Sequence, residues 1–500
     1  LSLKKLAGQT IWYGVSNIAA RFLSFILTPL VTYLLHTRSG QAEYGDFSVL
    51  YAAIPFVNVI FTYGIETAYF RFSSQGTEKG LLFQTTFSSL LISTIAFSTL
   101  LILFRQAIAN YLGISNSAYI SWCVFIIALD TLAAVPFARL RQEEKPKKYA
   151  FTKVAGILLN ILLTLFFVAW SPRYVAEHPV SAYAQWYHTY NNTGFLILAN
   201  LLQNVLTFLL LYKVWSVYRF EFSAQLWQKV FNYGAPMIIV GLGGMVNETI
   251  DRIMLRKLLP GSADAAKIAV GVYSANYKLA IFITLFIQAF KMSAEPFFFN
   301  QAADKNAPAI YARVMKWFVI TLCVAFLFTA LFLDIWKYLE PDSYRWGLGV
   351  VPILLLANIA LGVYYNLSVW YKMTDKMAMG MYITLIGASI TLVLNYLFVP
   401  IYGMMACAWT TLAAYASMMV ISYFWGQKHF PVPYATRKLC GYLIVIILMY
   451  FTEQAVQHFS ELILVRFIAA VVLVLIFMAL VLKQERAELK KMPLIGRFIA

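Results

Sequence analysis

Arg21 lies near the middle of an otherwise apolar stretch, residues 10–35. A guanidinium at mid-membrane costs about 2.5–3.5 kcal/mol on the lenient insertion scale, so it normally faces protein or a wet cavity. It stays charged and presents a planar fork of donors suited to carboxylate and phosphate oxygens. Two roles fit: a fixed cation on the path of something anionic, or the partner of a carboxylate on a neighbouring helix. Residues 247–252 read Asn-Glu-Thr-Ile-Asp-Arg. Helical spacing sets Asn247 over Asp251 and Glu248 over Arg252. One stripe is then a hydrogen-bonding pair and the next an ion pair. In one reading Arg252 is offered to an anionic group while Glu248 and Asp251 hold it or bind a coupling cation; in the other the pairs satisfy themselves. Glu66 and Arg71 close the second apolar stretch. Arg71 suits a headgroup anchor, whereas carboxylates snorkel poorly, which leaves Glu66 as a binding candidate. Lys278 interrupts the eighth stretch and either binds an anion or pairs with an acid such as Asp251. Asp130, in the fourth, is a candidate proton or sodium site.

These charges stand out because the rest of the chain is so apolar. Hydrophobic residues make up 61% and charged residues 12% of the 500, against about 25% charged in ordinary soluble domains. The mean hydropathy of +0.71 agrees. A net charge of +17 would suggest nucleic acid in a soluble chain. Here the basic residues punctuate apolar runs, so they read as topology signals and anionic-lipid contacts, and no nucleic-acid partner is expected. Four scattered cysteines without CxxC spacing argue against a disulfide or zinc framework. No HExxH or Walker A sequence occurs, so no metal, cofactor or enzymatic activity is expected. The first apolar run is too long for a cleavable signal peptide, and an initiator methionine is expected ahead of Leu1.

A hydrocarbon core of about 30 Å needs roughly 20 apolar helical residues. That length predicts about fourteen spans: 10–35, 46–70, 81–104, 118–138, 149–170, 192–212, 230–251, 268–290, 314–333, 347–369, 378–399, 404–425, 439–451 and 463–482. Most Lys and Arg then fall on the side of the N-terminus, with six between Arg139 and Lys153. The positive-inside rule puts both termini in the cytoplasm. The external segment Arg252–Lys267 breaks the pattern with four basic residues, and a functional site is expected there. Another external segment, Trp170–Tyr190, is aromatic, which suits a membrane interface or sugar stacking.

Sliding the chain by 226 residues matches Tyr44-Gly45-Asp46-Phe47-Ser48 to Val270-Gly271-Val272-Tyr273-Ser274. An offset of 231 matches Glu144-Lys145 to Asp375-Lys376, Gly156 to Gly387 and Phe167-Val168 to Phe398-Val399. The offset covers an even number of spans, so both copies insert in the same orientation. The expected fold is an all-α polytopic membrane protein with two six-helix lobes in a parallel pseudo-two-fold repeat, a cavity between them, and two C-terminal helices. The expected divisions are 1–215, 216–430, 431–482 and an interfacial, amphipathic cytoplasmic tail over 483–500.

Several segments carry a family likeness: LSLKKLAGQTIWYG with Arg21 following, AEYGDFSVLYA, VIFTYGIETAYFRF, FNYGAPMI and NETIDRIML. They resemble bacterial polysaccharide biosynthesis flippases, most closely the lipid-linked oligosaccharide (O-antigen or capsule) branch of the multidrug/oligosaccharidyl-lipid/polysaccharide exporter superfamily. The resemblance spans essentially the whole chain. It implies movement of an undecaprenyl-pyrophosphate-linked oligosaccharide from the cytoplasmic to the periplasmic leaflet of the bacterial inner membrane by alternating access. The candidate substrate-binding residues are Arg21, Arg252, Lys278, Glu66, Arg71 and Asn247; the candidate ion-coupling residues are Asp130, Glu248 and Asp251. H+ or Na+ is a candidate coupling ion. A monomer is expected, in contact with membrane lipids and with glycan polymerase machinery. The alternatives are a peptidoglycan-precursor flippase and a cation-coupled multidrug antiporter of the same fold. A membrane enzyme or scaffold would need a catalytic constellation or large soluble domains, and the sequence offers neither.

Overall fold

The computed structural model describes residues 22–490 apart from 24, 75–77, 302–305 and 375. Every regular element among them is helical, as expected where no water is present to satisfy backbone groups. Thirteen helices among the described residues are long and apolar enough to span a membrane. They are Arg38–Thr62 (α1), Gly80–Leu103 (α2), Ala118–Gln142 (α3), Pro146–Glu177 (α4), Asn192–Leu210 (α5), Ala224–Leu258 (α6) and Ala263–Gln288 (α7). After them come Ala307–Ala330 (α8), Val350–Met373 (α9), Met377–Tyr402 (α10), Met404–His429 (α11), Thr436–Phe459 (α12) and Ile463–Gln484 (α13). A shorter apolar helix, Phe25–Leu34, falls inside the first expected span. Residues 10–21 of that span, Arg21 included, lie outside the described residues.

Several helices outrun their expected spans. The helix that contains α7 continues to Gln301. The segment 439–451, too short to span alone, is part of the 24-residue α12. Its apolar run ends early because of Glu453, yet that carboxylate is fully buried and accepts from the amides of Gln457, at 2.5 Å, and Gln454. The aromatic segment after Trp170 is largely helical, as Ser171–Glu177 and Ala182–Tyr187.

The chain forms two compact units. The first runs to Ala275 and adds Pro341–Gly347 and Met381–Ala414; the second holds Asn276–Glu340, Leu348–Gly380 and the chain from Tyr415. These units divide the chain at residues other than those of the six-plus-six repeat. A repeat describes sequence register and a unit describes packing, so their boundaries differ.

Within the first unit the 226-residue repeat has a physical counterpart. A Cβ placed on Gly45 of α1 would stand 1.9 Å from the Lys267 carbonyl oxygen and 3.2 Å from the Gly271 nitrogen. One placed on Gly271 of α7 would stand 2.4 Å from the Gln41 carbonyl oxygen and 3.2 Å from the Gly45 nitrogen. Adding 226 to Gln41 and Gly45 gives Lys267 and Gly271, so each contact maps onto the other. Such reciprocity is the mark of a two-fold relation, and only glycine permits backbones this close.

A second pair of glycines joins two helix breaks. α1 stops where Tyr63 (φ 33°) and Gly64 (φ 73°) turn left-handed, and the chain restarts as Ile65–Ser74. α6 consists of Ala224–Gly234 and Pro236–Leu258. Pro236 removes a backbone donor at the restart. A Cβ on Gly64 would lie 2.6 Å from the Gly234 carbonyl oxygen, and one on Gly234 would lie 2.6 Å from that of Tyr63. The two breaks rest on each other.

Candidate functional site

The motif at 247–252 forms a buried polar core in the first unit. Asn247 and Asp251 are both buried, one turn apart on α6. Asp251 accepts from the Tyr273 hydroxyl at 2.6 Å, the Arg252 guanidinium at 2.9 Å and the Arg252 amide at 2.8 Å. Asn247 reaches α10, donating to the Thr384 carbonyl at 3.2 Å and accepting from the Thr391 hydroxyl at 2.9 Å. This corrects the expected pairing. The carboxylate that pairs with Arg252 is that of Asp251, while Arg252 reaches Glu248 through its main-chain carbonyl at 3.0 Å. Glu248 itself is exposed. Spacing brought both acids near Arg252; the apolar surround decided which one turned inward.

The anomalous basic segment is accounted for residue by residue. Besides Arg252, Arg256 and Lys267 converge on the buried Asp46 at 3.4 and 3.3 Å. Arg256 also donates to the carbonyls of Ala263 at 2.7 Å and Gly113 at 3.0 Å. The Lys257 ammonium sits 4.2 Å from the centre of the Tyr111 ring. All four basic residues therefore have partners inside the first unit. The sequence reading missed Asp46, although it lies within the repeated motif, because its partners are more than 200 residues away.

At the far end of α1 the remaining candidates take different roles. Glu66 forms an ion pair with Arg141, and the exposed Arg71 lays its guanidinium over Tyr233 at 4.2 Å. Arg139 lies over Phe83 at 4.6 Å and Arg141 over Phe70 at 4.7 Å. Arg139 also bonds Glu143 at 2.6 Å, and Lys145 bonds the same carboxylate at 2.7 Å. Burial alone would raise the Glu143 carboxyl, but the Lys145 and Arg139 bonds outweigh it and hold it below the ordinary carboxylate range. Asp130 is exposed on α3 within electrostatic reach of Lys153. Lys278 is partly buried and belongs to the second unit. The aromatic segment stacks Trp170, Tyr174 and His178 in succession at 5.0 and 4.5 Å.

In the second unit, Glu485 accepts from Lys316 at 2.5 Å, Lys438 at 2.9 Å and the Tyr442 hydroxyl at 3.0 Å. Lys316 also pairs with Glu488 at 2.8 Å. Near the opposite end of α13, Arg466 bonds Asp334 at 3.3 Å. The helix α13 is thus tied at both ends to the region of α8, and α12 joins it through Lys438 and Tyr442. Nothing in the sequence marked Glu485 or Lys316, which lie 169 residues apart.

An all-helical protein with this many spans, a parallel repeat, and polar groups gathered inside and at the ends of its helices has the build of a transporter. The chain belongs to the family described as polysaccharide biosynthesis protein, which matches residues 6–301. Its fold is similar to that of the lipid II flippase MurJ in an inward closed conformation: TM-score 0.68, 13% identity, covering 95% of this chain and 99% of that one. It is also similar to an inward-facing multidrug resistance MATE family transporter of the MOP superfamily: TM-score 0.63, 14% identity, covering 84% of this chain and 94% of that one. The outward-facing conformation of such a transporter gives a TM-score of 0.55 at 13% identity, covering 84% and 95%. No curated protein matches the chain.

Proposed function

We propose that the protein is a flippase that carries an undecaprenyl-pyrophosphate-linked oligosaccharide from the cytoplasmic to the periplasmic leaflet of a bacterial inner membrane, for surface polysaccharide synthesis. The observation that carries this reading is membership of the polysaccharide biosynthesis family over residues 6–301. The fold adds weight: the lipid II flippase covers 95% of the chain, the drug transporters described above 84%. A diphosphate carrying a glycan needs fixed cations on a hydrated path, and Arg21, Arg252 and Lys278 are the cations proposed to supply them. Glu66, Arg71 and Asn247 complete the proposed substrate contacts. Asp130, Glu248 and Asp251 are the acids through which H+ or Na+ would couple to transport by alternating access. Both termini face the cytoplasm in this reading, and association with glycan polymerase machinery follows from the role.

The test is surface glycan per folded transporter. Arg21→Ala is expected to abolish export while the protein stays inserted and abundant, because hydrogen bonds to charged groups are worth about 1.5–3 kcal/mol. Arg21→Lys restores it in part, since charge remains and the fork is lost. Normal export by well-folded Arg21→Ala defeats the cationic pathway. A chain that exports cationic drugs and no glycan is an antiporter of the same fold.

A further inference from the structure

The α10–α11 hairpin is the least punctuated part of the chain. Residues 377–427 contain no Asp, Glu, Lys, Arg or His, a run of 51. α10 and α11 are 26 residues each. A single residue, Gly403, joins them in the left-handed region at φ 56°. A Cβ on Gly403 would stand 3.2 Å from the Leu259 side chain, just beyond α6. The tip of the hairpin is thus set against the end of α6 without a charged group of its own.

Helix length fixes the depth of this tip. Twenty-six residues rise about 39 Å, and the exposed Lys376 and Lys428 mark the opposite end of the hairpin. Lysines there reach for headgroups, and a bilayer with its headgroups is about 40–45 Å thick. The tip therefore lies no farther out than the opposite headgroup layer, and tilt draws it deeper. The side chains around it suit that level. Ile401, Tyr402 and Trp346 are 67%, 63% and 57% exposed, and Trp and Tyr gather where acyl chains meet headgroups.

Beside the tip lies a cavity of about 340 Å³, wholly within the first unit. Leu259, Ala269 of α7, Trp346 and the hairpin residues Tyr402, Met404 and Met405 line it, with no charged side chain among the described residues of its wall. Ligand sites run from about 300 to 1,000 Å³, so one chain-like group fits. Water needs two to four polar partners, and walls of leucine, alanine, methionine and aromatic rings offer it few. An empty space would forfeit the dispersion contacts of those walls. Hydrocarbon fills it without either cost, and the depth of the tip puts acyl chains at its mouth. A wall without a cation recognises a chain and not a diphosphate, which favours a bulk phospholipid over the transported substrate.

We propose that this cavity binds one acyl chain of a phospholipid from the external leaflet. The leaflet follows from the orientation given in the flippase reading; the chain chemistry does not depend on it. The bound chain packs Ala269 of α7 to the α10–α11 tip, two residues from the Gly45–Gly271 crossing.

Trp346 in the wall supplies the test. Full-length protein, delipidated in detergent, is titrated with phosphatidylcholine carrying dibrominated acyl chains. Bromine quenches only indoles close to it, so the quenching that disappears in Trp346→Phe belongs to the cavity. That part is expected to saturate near a single lipid per protein. Ala269→Leu fills the cavity and Met405→Glu sets a charge at its half-exposed wall; each is expected to weaken binding about tenfold. A thermal melt establishes that both are folded. Quenching that rises without saturating, or that is unchanged in both folded variants, overturns the proposal. Competition names the chain: displacement by undecaprenyl phosphate at lower concentration than by plain phosphatidylcholine makes this a substrate-chain site and overturns the assignment, and displacement at equal or higher concentration supports it. A particle of twice the mass, with Trp346 shielded before lipid is added, gives the cavity to a second copy and also overturns it. Saturable quenching by protein that exposes no glycan in vesicles defeats the flippase reading and leaves the site standing. Glycan exposure with unsaturable quenching does the reverse.

Discussion

Asp46 and Glu485 are both buried carboxylates that organise a charge cluster, one in each compact unit, and the clusters are built differently. Asp46 faces two cations at 3.3 and 3.4 Å, near the outer limit of an ion pair, while Glu43 and Asp264 act on the group only at longer range. Glu485 accepts three donors at 2.5 to 3.0 Å, and Glu488 adds a second carboxylate on Lys316. Two cations then meet two acids. Burial would raise the Glu485 carboxyl, but the bonds from Lys316, Lys438 and Tyr442 hold it below its ordinary value. A saturated cluster of short bonds resists the loss of any member. A cluster of long bonds, with a second cation anchored elsewhere, loses less when one member is removed. The first serves as a fixed clamp on the last two helices; the second is a looser pairing at the α1–α7 crossing.

The largest effect is expected from Lys316→Met. It leaves Glu485 and Glu488 facing each other, with only Lys438 and the Tyr442 hydroxyl in support. Breaking a buried pair costs about 3–5 kcal/mol because the remaining charge is uncompensated. The midpoint of thermal unfolding in detergent should fall strongly, and the yield of inserted protein with it. A melt within error of the parent would show that the clamp contributes little, and the contrast between the clusters would lose its stronger half.

A smaller loss, about 1–3 kcal/mol, is expected from Gly45→Ala, which drives a methyl group into the Lys267 carbonyl. Backbone cannot rotate aside as a side chain can. The same measurement on Gly271→Ala sharpens the point, since its methyl would meet the Gln41 carbonyl in the reciprocal position. Equal tolerance of both variants would mean that the crossing is looser than drawn and that Asp46 is not held in place by it.

Much of this architecture was legible in advance, because hydropathy over twenty residues is a strong local signal. The repeat was legible too: its 226-residue register placed Gly45 and Gly271 at equal positions, and the fold brings those two residues together. What escaped was non-local. Asp46 lies 210 residues from Arg256, and no pattern within a helix announces such a pair. Its only trace was the surplus of Lys and Arg between 252 and 267. The Glu248–Arg252 pairing was misread for a local reason. Asn247, Asp251 and Leu255 form one buried stripe at four-residue intervals, so Asp251 turns inward and Glu248 does not. Arg21 lies outside the described residues, so its place in the pathway rests on sequence and on the export test.

Lys267→Met is the smallest expected effect and the one that separates the two designs most cleanly. Removing a buried cation usually destabilises, because its acid is left alone. At Asp46 the acid keeps Arg256, whose guanidinium remains anchored on the carbonyls of Gly113 and Ala263. The substitution leaves Asp46 paired with Arg256 alone and removes the repulsion between Arg256 and Lys267. Methionine is flexible enough to fill the space of the lysine stem. The Lys267 side chain is also 18% exposed, so part of its attraction to Asp46 is already screened. The net change is expected to be within about 1 kcal/mol of zero, against the several lost at Lys316. Thermal unfolding of the two Lys→Met variants, measured side by side, decides it. If Lys267→Met unfolds as early as Lys316→Met, the Asp46 cluster is a clamp like the other, and the longer bonds at the α1–α7 crossing have no separate meaning.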